Sequence, residues 1–170
     1  MIRLLFFITA FIICSCSSDE GVKAVEWNQE KSTTFNRELA VEQDLQIKMY
    51  LEQHSNWRMV STGSGLRYFV YQHGNGVKAE EGMTAQVETE ISLLDGRQCY
   101  KTAADEMEEF VIDKSDIESG IQEGIKKMRE GDRAKMIIPS HLAHGLVGDL
   151  DKIPPLSVIV VDIHLIGLLP

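Results

Sequence analysis

Two histidines, His141 and His144, stand three residues apart in a stretch that also carries Asp149 and Asp151. Imidazole and carboxylate are donor types for a divalent cation. The stretch reads as a loop rather than a helix, however, and brings no further soft ligand, so no metal is expected there, and no cofactor. Cys99 is the one thiol outside the N-terminal segment. It is either a reactive thiol or, as its alternating strand pattern favours, a small buried hydrophobe. His54, His73 and His164 have no motif around them. No glycine-rich phosphate loop, nucleophile elbow or catalytic triad pattern occurs. Leu146, Val147 and Leu150 add apolar surface to the same loop, suited either to packing or to contact with an unfolded or partner chain.

The composition narrows the field. The chain has 170 residues, 44% of them hydrophobic and 25% charged, enough to bury the core of one ordinary domain. Seventeen Lys and Arg against 26 Asp and Glu give a formal charge of -9 and a pI near 5.0. Nucleic acid is therefore excluded as a partner, because phosphate contacts need a basic face. Three cysteines, two of them close to the N-terminus, exclude a disulfide framework and a thiolate zinc cluster.

The N-terminal segment reads as an address. Met1-Ile2-Arg3 carries one positive charge ahead of an apolar run from Leu4 to Ile13, the pattern of a secretory signal. That run is shorter than the about 20 residues a helix needs to cross a bilayer. Ile13-Cys14-Ser15-Cys16 resembles a bacterial lipobox, with an aliphatic residue three before Cys16 and a small one just before it. Cys14 does not fit, since bulky Ile13 would sit beside the cleavage point. The expected organisation is a signal over 1–15, a flexible tether over 16–34 lipidated at Cys16, a helical extension over 35–56 and a globular domain over 57–170. Trp27 in the tether is a candidate docking handle.

The positioning elements follow from periodicity. Phe35 to His54 places Leu39, Leu45, Ile47 and Leu51 among polar residues without Gly or Pro, an amphipathic helix capped at Ser32, Thr33 or Thr34. It packs on the domain or serves as a homodimer or partner helix. Strands are expected at Leu66–Gln72, Thr84–Leu94, Arg97–Lys101, Phe110–Ile112, Ala134–Ile138 and Ser157–Leu168. Val87, Thr89 and Ile91 share one face of the second. Asp95-Gly96 signals a type I′ hairpin. Ile117, Ile121, Ile125 and Met128 mark one short helix, with Ser115 and Glu118 as a capping box and Gly131 as its stop. Ser140–Pro155 is a long irregular connection, and Asp105, Glu106, Glu108 and Glu109 form a solvated acidic loop and strand edge. This order gives an α+β class in which a bent antiparallel sheet wraps one short helix.

The motifs Ser119-Gly120-Ile121-Gln122-Glu123-Gly124-Ile125, Gly131-Asp132-Arg133-Ala134-Lys135, Ile138-Pro139-Ser140-His141-Leu142-Ala143-His144-Gly145, Ile153-Pro154-Pro155 and Val160-Val161-Asp162-Ile163 resemble the C-terminal half of an FKBP-type peptidyl-prolyl cis-trans isomerase. Gly63 to Leu66, Gly82-Met83-Thr84 and the Asp95-Gly96 hairpin are similar to its N-terminal half. The resemblance covers Val60 to Leu168. With a lipobox, tether and helix ahead of it, the chain is similar to the lipoprotein branch associated with gliding motility. What this implies is a bacterial envelope protein, anchored to a membrane through Cys16 and acting on X-Pro segments of unfolded polypeptides.

The implied reaction is rotation about an X-Pro amide. Its barrier of about 18–20 kcal/mol reflects lost C–N conjugation. Neither nucleophile nor metal is required. Removing water from the amide and placing donors where the twisted carbonyl lies suffices. In the resemblance, the prolyl ring rests on a tryptophan whose position is Ile121. Ile153 is retained before Pro154-Pro155, and Ile117 matches a valine before the helix. Val161 replaces a phenylalanine of the last strand, Cys99 another after the hairpin, and Glu108 a third in the middle strand. Tyr100 stands for an aspartate and Thr89 for a tyrosine. Glu118 is the position whose backbone N–H binds the substrate carbonyl, and His144 stands for a hydroxyl-donating tyrosine. Exchanging an aromatic ring for Ile or Val removes roughly 1–3 kcal/mol of contact per site at about 25 cal/mol per Å². The expectation is an aliphatic slot with weak isomerase activity, His144, Tyr100 and the Glu118 N–H being its donors.

Overall fold

The computed structural model describes residues 28–170. The signal, the lipobox at Cys16 and Trp27 lie outside the described residues. Those residues form helix α1 (Gln29–Gln53), strands β1 (Val60–Ser61), β2 (Arg67–Gln72), β3 (Thr84–Leu93), β4 (Gln98–Lys101) and β5 (Glu108–Val111), helix α2 (Ser119–Ile125), strand β6 (Arg133–Ile138), a 3-10 turn (Ser140–Leu142) and strand β7 (Ile159–Leu169). All strand pairs are antiparallel in the order β1-β2-β6-β7-β3-β4, with β5 also paired to β3. This is the expected α+β sheet with one short helix against it.

Alternation sorts the side chains of the central strands to two sides. Met136 and Ile138 of β6, with Val161 and Ile163 of β7, join Leu66, Ile112, Ile121, Ile125 and Met128 in the main core under α2. Their neighbours Ile137 and Val160 face the other way and meet Ile47 of α1, with Tyr50, Leu51 and Trp57 around them. Two α2 glycines permit close approach to β6. A Cβ at Gly120 would stand 2.3 Å from Ile138 Cγ2, and one at Gly124 2.3 Å from Met136 Sδ.

Helix α1 begins at Gln29, not Phe35, so residues 29–34 are helical rather than tether. Asn28, not Ser32 to Thr34, is the cap: its Oδ1 accepts the Lys31 N–H at 2.9 Å, satisfying one otherwise orphaned donor. No Gly or Pro interrupts the following turns. The buried face of α1 carries Gln43 and Ile47, whereas Leu45 is 57% exposed and points away from the domain. Gln43 is bonded on both sides of its amide. Its Nε2 donates to Ser140 Oγ (2.8 Å) and Leu156 O (2.9 Å), and its Oε1 accepts from Ser140 N (3.0 Å). One side chain thus ties α1 to both ends of the Ser140–Leu156 connection.

Three local expectations give way to tertiary geometry. The β3–β4 connection holds Leu94-Asp95-Gly96, with Gly96 at φ 87° and Asp95 outside the positive-φ region. Gly96 N–H donates to Leu93 O and Leu93 N–H to Arg97 O, so the turn is a three-residue loop closed by a left-handed glycine, not type I′. The Ser115–Glu118 capping box is not formed, because Ser115 Oγ accepts the Val111 N–H and Glu118 caps α2 without its side chain. Helix α2 stops at Ile125, and Met128 reaches the core from the following turn. Glu108 and Glu109 open β5, the strand-edge part of the expected acidic stretch.

Candidate functional site

Strand β3 pairs along its whole length with β7, but its other edge is shared. Thr84 to Val87 pair with β5, and Glu90 to Ser92 pair with β4. Thr89 sits at the junction, where its N–H donates to Thr102 Oγ1 (2.8 Å) and its carbonyl accepts the Thr102 N–H (2.9 Å). The split opens a cavity of about 250 Å³. Val87, Thr89 and Ile91 of β3, Tyr100 of β4, Glu108 and Phe110 of β5, and Ile117, Glu118 and Ile121 at the start of α2 line it. Its size suits one ring rather than a large ligand.

Thr89, Tyr100, Glu108, Ile117, Glu118 and Ile121 of the sequence-derived set meet at this slot. Cys99, Ile153 and Val161 do not line it. They are 5%, 2% and 0% exposed and belong to the main core. Cys99 precedes Tyr100 on a strand, so the two side chains leave on opposite sides. Val161 pairs with Ile91 and is one strand removed from the opening. The Cys99 thiol is held above its ordinary range chiefly by burial, which suits an inert core residue. Phe110, Val87 and Ile91 are the lining residues that correspondence with the family pattern missed. The period-two alternation along β3 had already placed the last two beside Thr89.

Polar groups collect at the rim. The Glu118 N–H donates to no acceptor among the described residues and stands before the first turn of α2. Its carboxylate reaches His144, with Oε1 2.9 Å from Nε2. That ring nitrogen is buried but lacks the alignment of a hydrogen bond. His144 therefore closes over Glu118 from the loop, while His141 turns away to Ser64 O at 3.0 Å. Asp149 and Asp151 turn to Tyr100, whose hydroxyl donates to Asp149 Oδ2, with Asp151 Oδ2 at 3.4 Å. His141, His144 and the Asp149–Asp151 pair thus turn to three different partners, and no group of three or more such donors is found among the described residues.

Asp149 organises the loop. Its Oδ1 accepts from Asp151 N (2.9 Å) and Ile153 N (2.7 Å). Desolvation raises its pKa, but the Tyr100 hydroxyl and these two N–H groups outweigh it and bring the value down to about 2. The same contact, foremost, raises Tyr100 to about 12. The Tyr100 hydroxyl is thus spent on holding the loop, leaving its ring to the slot. Glu108 is fixed on the opposite wall, its Oε1 accepting from Thr102 Oγ1 (2.7 Å) and Thr89 Oγ1 (3.3 Å).

A bent antiparallel sheet over one short helix thus carries a ring-sized apolar slot with an unspent backbone donor at its mouth. Residues 75–166 match the family described as FKBP-type peptidyl-prolyl cis-trans isomerase, and the chain belongs to that family of enzymes. FkpA of Escherichia coli K12, a peptidyl-prolyl cis-trans isomerase of this type, is 30% identical over 132 residues, covering 77% of this chain and 48% of that protein. The probable FkpA of Neisseria meningitidis serogroup B is 28% identical over 139 residues, covering 82% and 46%. The crystal structure of Escherichia coli FkpA superposes with a TM-score of 0.66 at 26% identity, covering 82% of this chain and 64% of that one. The chain spans about half the length of the curated relatives it matches. Among the described residues, no helix is long and apolar enough to cross a membrane.

Proposed function

We propose that this protein is a lipid-anchored peptidyl-prolyl cis-trans isomerase of the bacterial cell envelope, acting slowly on X-Pro segments of unfolded polypeptides. The observation that carries the catalytic part is the open slot. Val87, Ile91, Phe110, Ile117 and Ile121 supply apolar walls, and the Glu118 N–H is free to take a carbonyl. A proline ring entering it leaves water, which disfavours the planar polar amide relative to the twisted one. The N–H holds the preceding carbonyl, and His144 adds a ring nitrogen beside it. Slowness follows from Ile121 on the floor, where an indole would give more contact with the ring.

NMR exchange on a panel of X-Pro peptides, with the soluble form beginning at Ser17, tests this. Weak acceleration is expected, and Ile121→Trp should strengthen prolyl binding. No acceleration for any peptide would leave the second reading, a non-catalytic binding module or chaperone in a motility or secretion assembly. That reading draws on Leu146, Val147 and Leu150, which are 62%, 59% and 86% exposed in the loop beside the slot. Anchoring through Cys16 rests on the lipobox, and metabolic labelling with a fatty acid, lost in Cys16→Ala, is its test. Val41, Leu45 and Met49 form an exposed stripe at four-residue steps along α1, which supports a homodimer through this helix. Sedimentation of the soluble form and of Leu45→Glu decides that point.

A further inference from the structure

The two acidic side chains that line the slot have no lysine or arginine partner among the described residues. Elsewhere several carboxylates are matched by lysines: Glu90 with Lys101 at 2.7 Å, Asp113 with Lys126 at 2.6 Å, Asp162 with Lys135 at 2.5 Å. At the slot, Glu108 is held by two threonine hydroxyls and Glu118 stands against His144, and neither forms an ion pair with Lys or Arg. The second carboxylate oxygen of each accepts no hydrogen bond among the described residues. Behind Tyr100, Asp149 and Asp151 add two more carboxylates. The cation on that side is Lys152, whose Nζ stands over the Tyr100 ring, 4.6 Å from its centroid. Glu108 and Glu118 come from opposite walls, β5 and the start of α2, and both line the apolar cavity itself. A ring seated between them therefore has a carboxylate on either side, Glu118 facing His144 and Glu108 facing no basic side chain among the described residues.

We infer that the slot selects prolines flanked by a lysine or arginine, with Glu108 as the specificity-determining residue. The inference rests on the slot being where X-Pro segments bind. Its physical basis is that an ammonium beside the ring meets Glu108, whose orientation the threonine pair already fixes, so little side-chain freedom is lost on pairing. Glutamate in the same place meets like charge. The preference is electrostatic and partly exposed, so it falls with salt.

The experiment compares three peptides that differ only in the residue before proline: lysine, acetyl-lysine and glutamate. Acetyl-lysine keeps the length of the chain and removes its charge. Exchange rates and NMR binding isotherms are recorded for the soluble form at low and high salt. Lysine is expected to exceed acetyl-lysine by about fivefold at low salt, equivalent to about 1 kcal/mol, with glutamate below both. Glu108→Gln, which keeps an oxygen for Thr102, should bring lysine and acetyl-lysine together, whereas Glu90→Gln on the far side of the sheet should leave their ratio intact. Equal behaviour of lysine and acetyl-lysine, a preference that survives Glu108→Gln, or no binding of any peptide overturns the inference. Lysine-selective binding without accelerated exchange would keep it and remove the isomerase reading instead.

Discussion

The two faces of β3 look onto two cavities, and the larger is the less useful one. Inward, Val87, Thr89 and Ile91 line the slot of about 250 Å³. Outward, Glu88 and Glu90 line a cavity of about 330 Å³ together with Lys101, Arg133, Asp162 and His164. There the charges answer one another: Lys101 with Glu90, Lys135 with Asp162, His164 with Glu88 at 3.2 Å, and Tyr71 O–H donating to Asp162 at 2.8 Å. A ligand entering the outward cavity displaces water from groups already paired and gains little. A ring entering the inward slot trades water for apolar contact. Volume alone does not distinguish the two; the state of the polar groups does.

The largest effect is expected from removing the slot floor. Ile121 is 5% exposed, and Ile121→Ala should cost about 2–4 kcal/mol of stability in urea unfolding while abolishing accelerated X-Pro exchange. A loss below about 1 kcal/mol with exchange unchanged would mean that the inward face is not the working one.

A smaller effect is expected from pH, through the Tyr100–Asp149 contact that holds the loop. Asp149 has a depressed pKa, so its contribution is complete above the ordinary value of 3.8 and is lost as pH falls through about 2. Tyr100 is shifted upward, which favours its neutral hydroxyl in the folded protein. Its contribution is complete below 10.0 and is lost as pH rises through about 12. Between these windows, the amide signals of Asp151 and Ile153 should not move with pH on account of this contact, and Tyr100→Phe should raise the Asp149 titration toward the usual carboxylate range. A Tyr100 ring titrating near 10 in NMR would show the contact to be absent in solution.

The smallest effect belongs to the outward face. Lys101→Met removes an exposed ion pair, with the two side chains 58% and 41% exposed, and should change stability by less than about 0.5 kcal/mol without altering exchange. A large loss of exchange in this variant would reverse the ranking of the two faces.

Much of the sheet was legible because one face of it is dry. The alternation of Val87, Thr89 and Ile91 along β3 reflects that asymmetry directly, whereas β2 is half-buried from Arg67 to Val70, and the bounds of both strands agree to within a few residues. The slot was half legible. Ile121, Ile117 and Glu118, placed by the family resemblance, do line it. Cys99 and Val161 were assigned to the lining by correspondence of position, yet which of two successive strand residues faces an opening depends on where the edge pairing breaks. Asp149 was visible only as a possible metal donor. Its role as the acceptor that gathers Tyr100, Asp151 and Ile153 requires residues 49 positions apart to meet. Leu45 shows the same limit on α1, where a long helix with apolar residues on more than one side offers no local reason to bury one stripe instead of another.

Local chemistry in the chain was enough to set the class of fold, the short helix and the family motifs, because periodicity and hydrophobic runs act over a few residues. Assembly in three dimensions decided which carboxylates are matched by cations and which are not, where the edge of β3 opens, and that Gln43 of α1 holds both ends of the loop over the slot. Those outcomes depend on distances between segments far apart in sequence, and no local pattern encodes them.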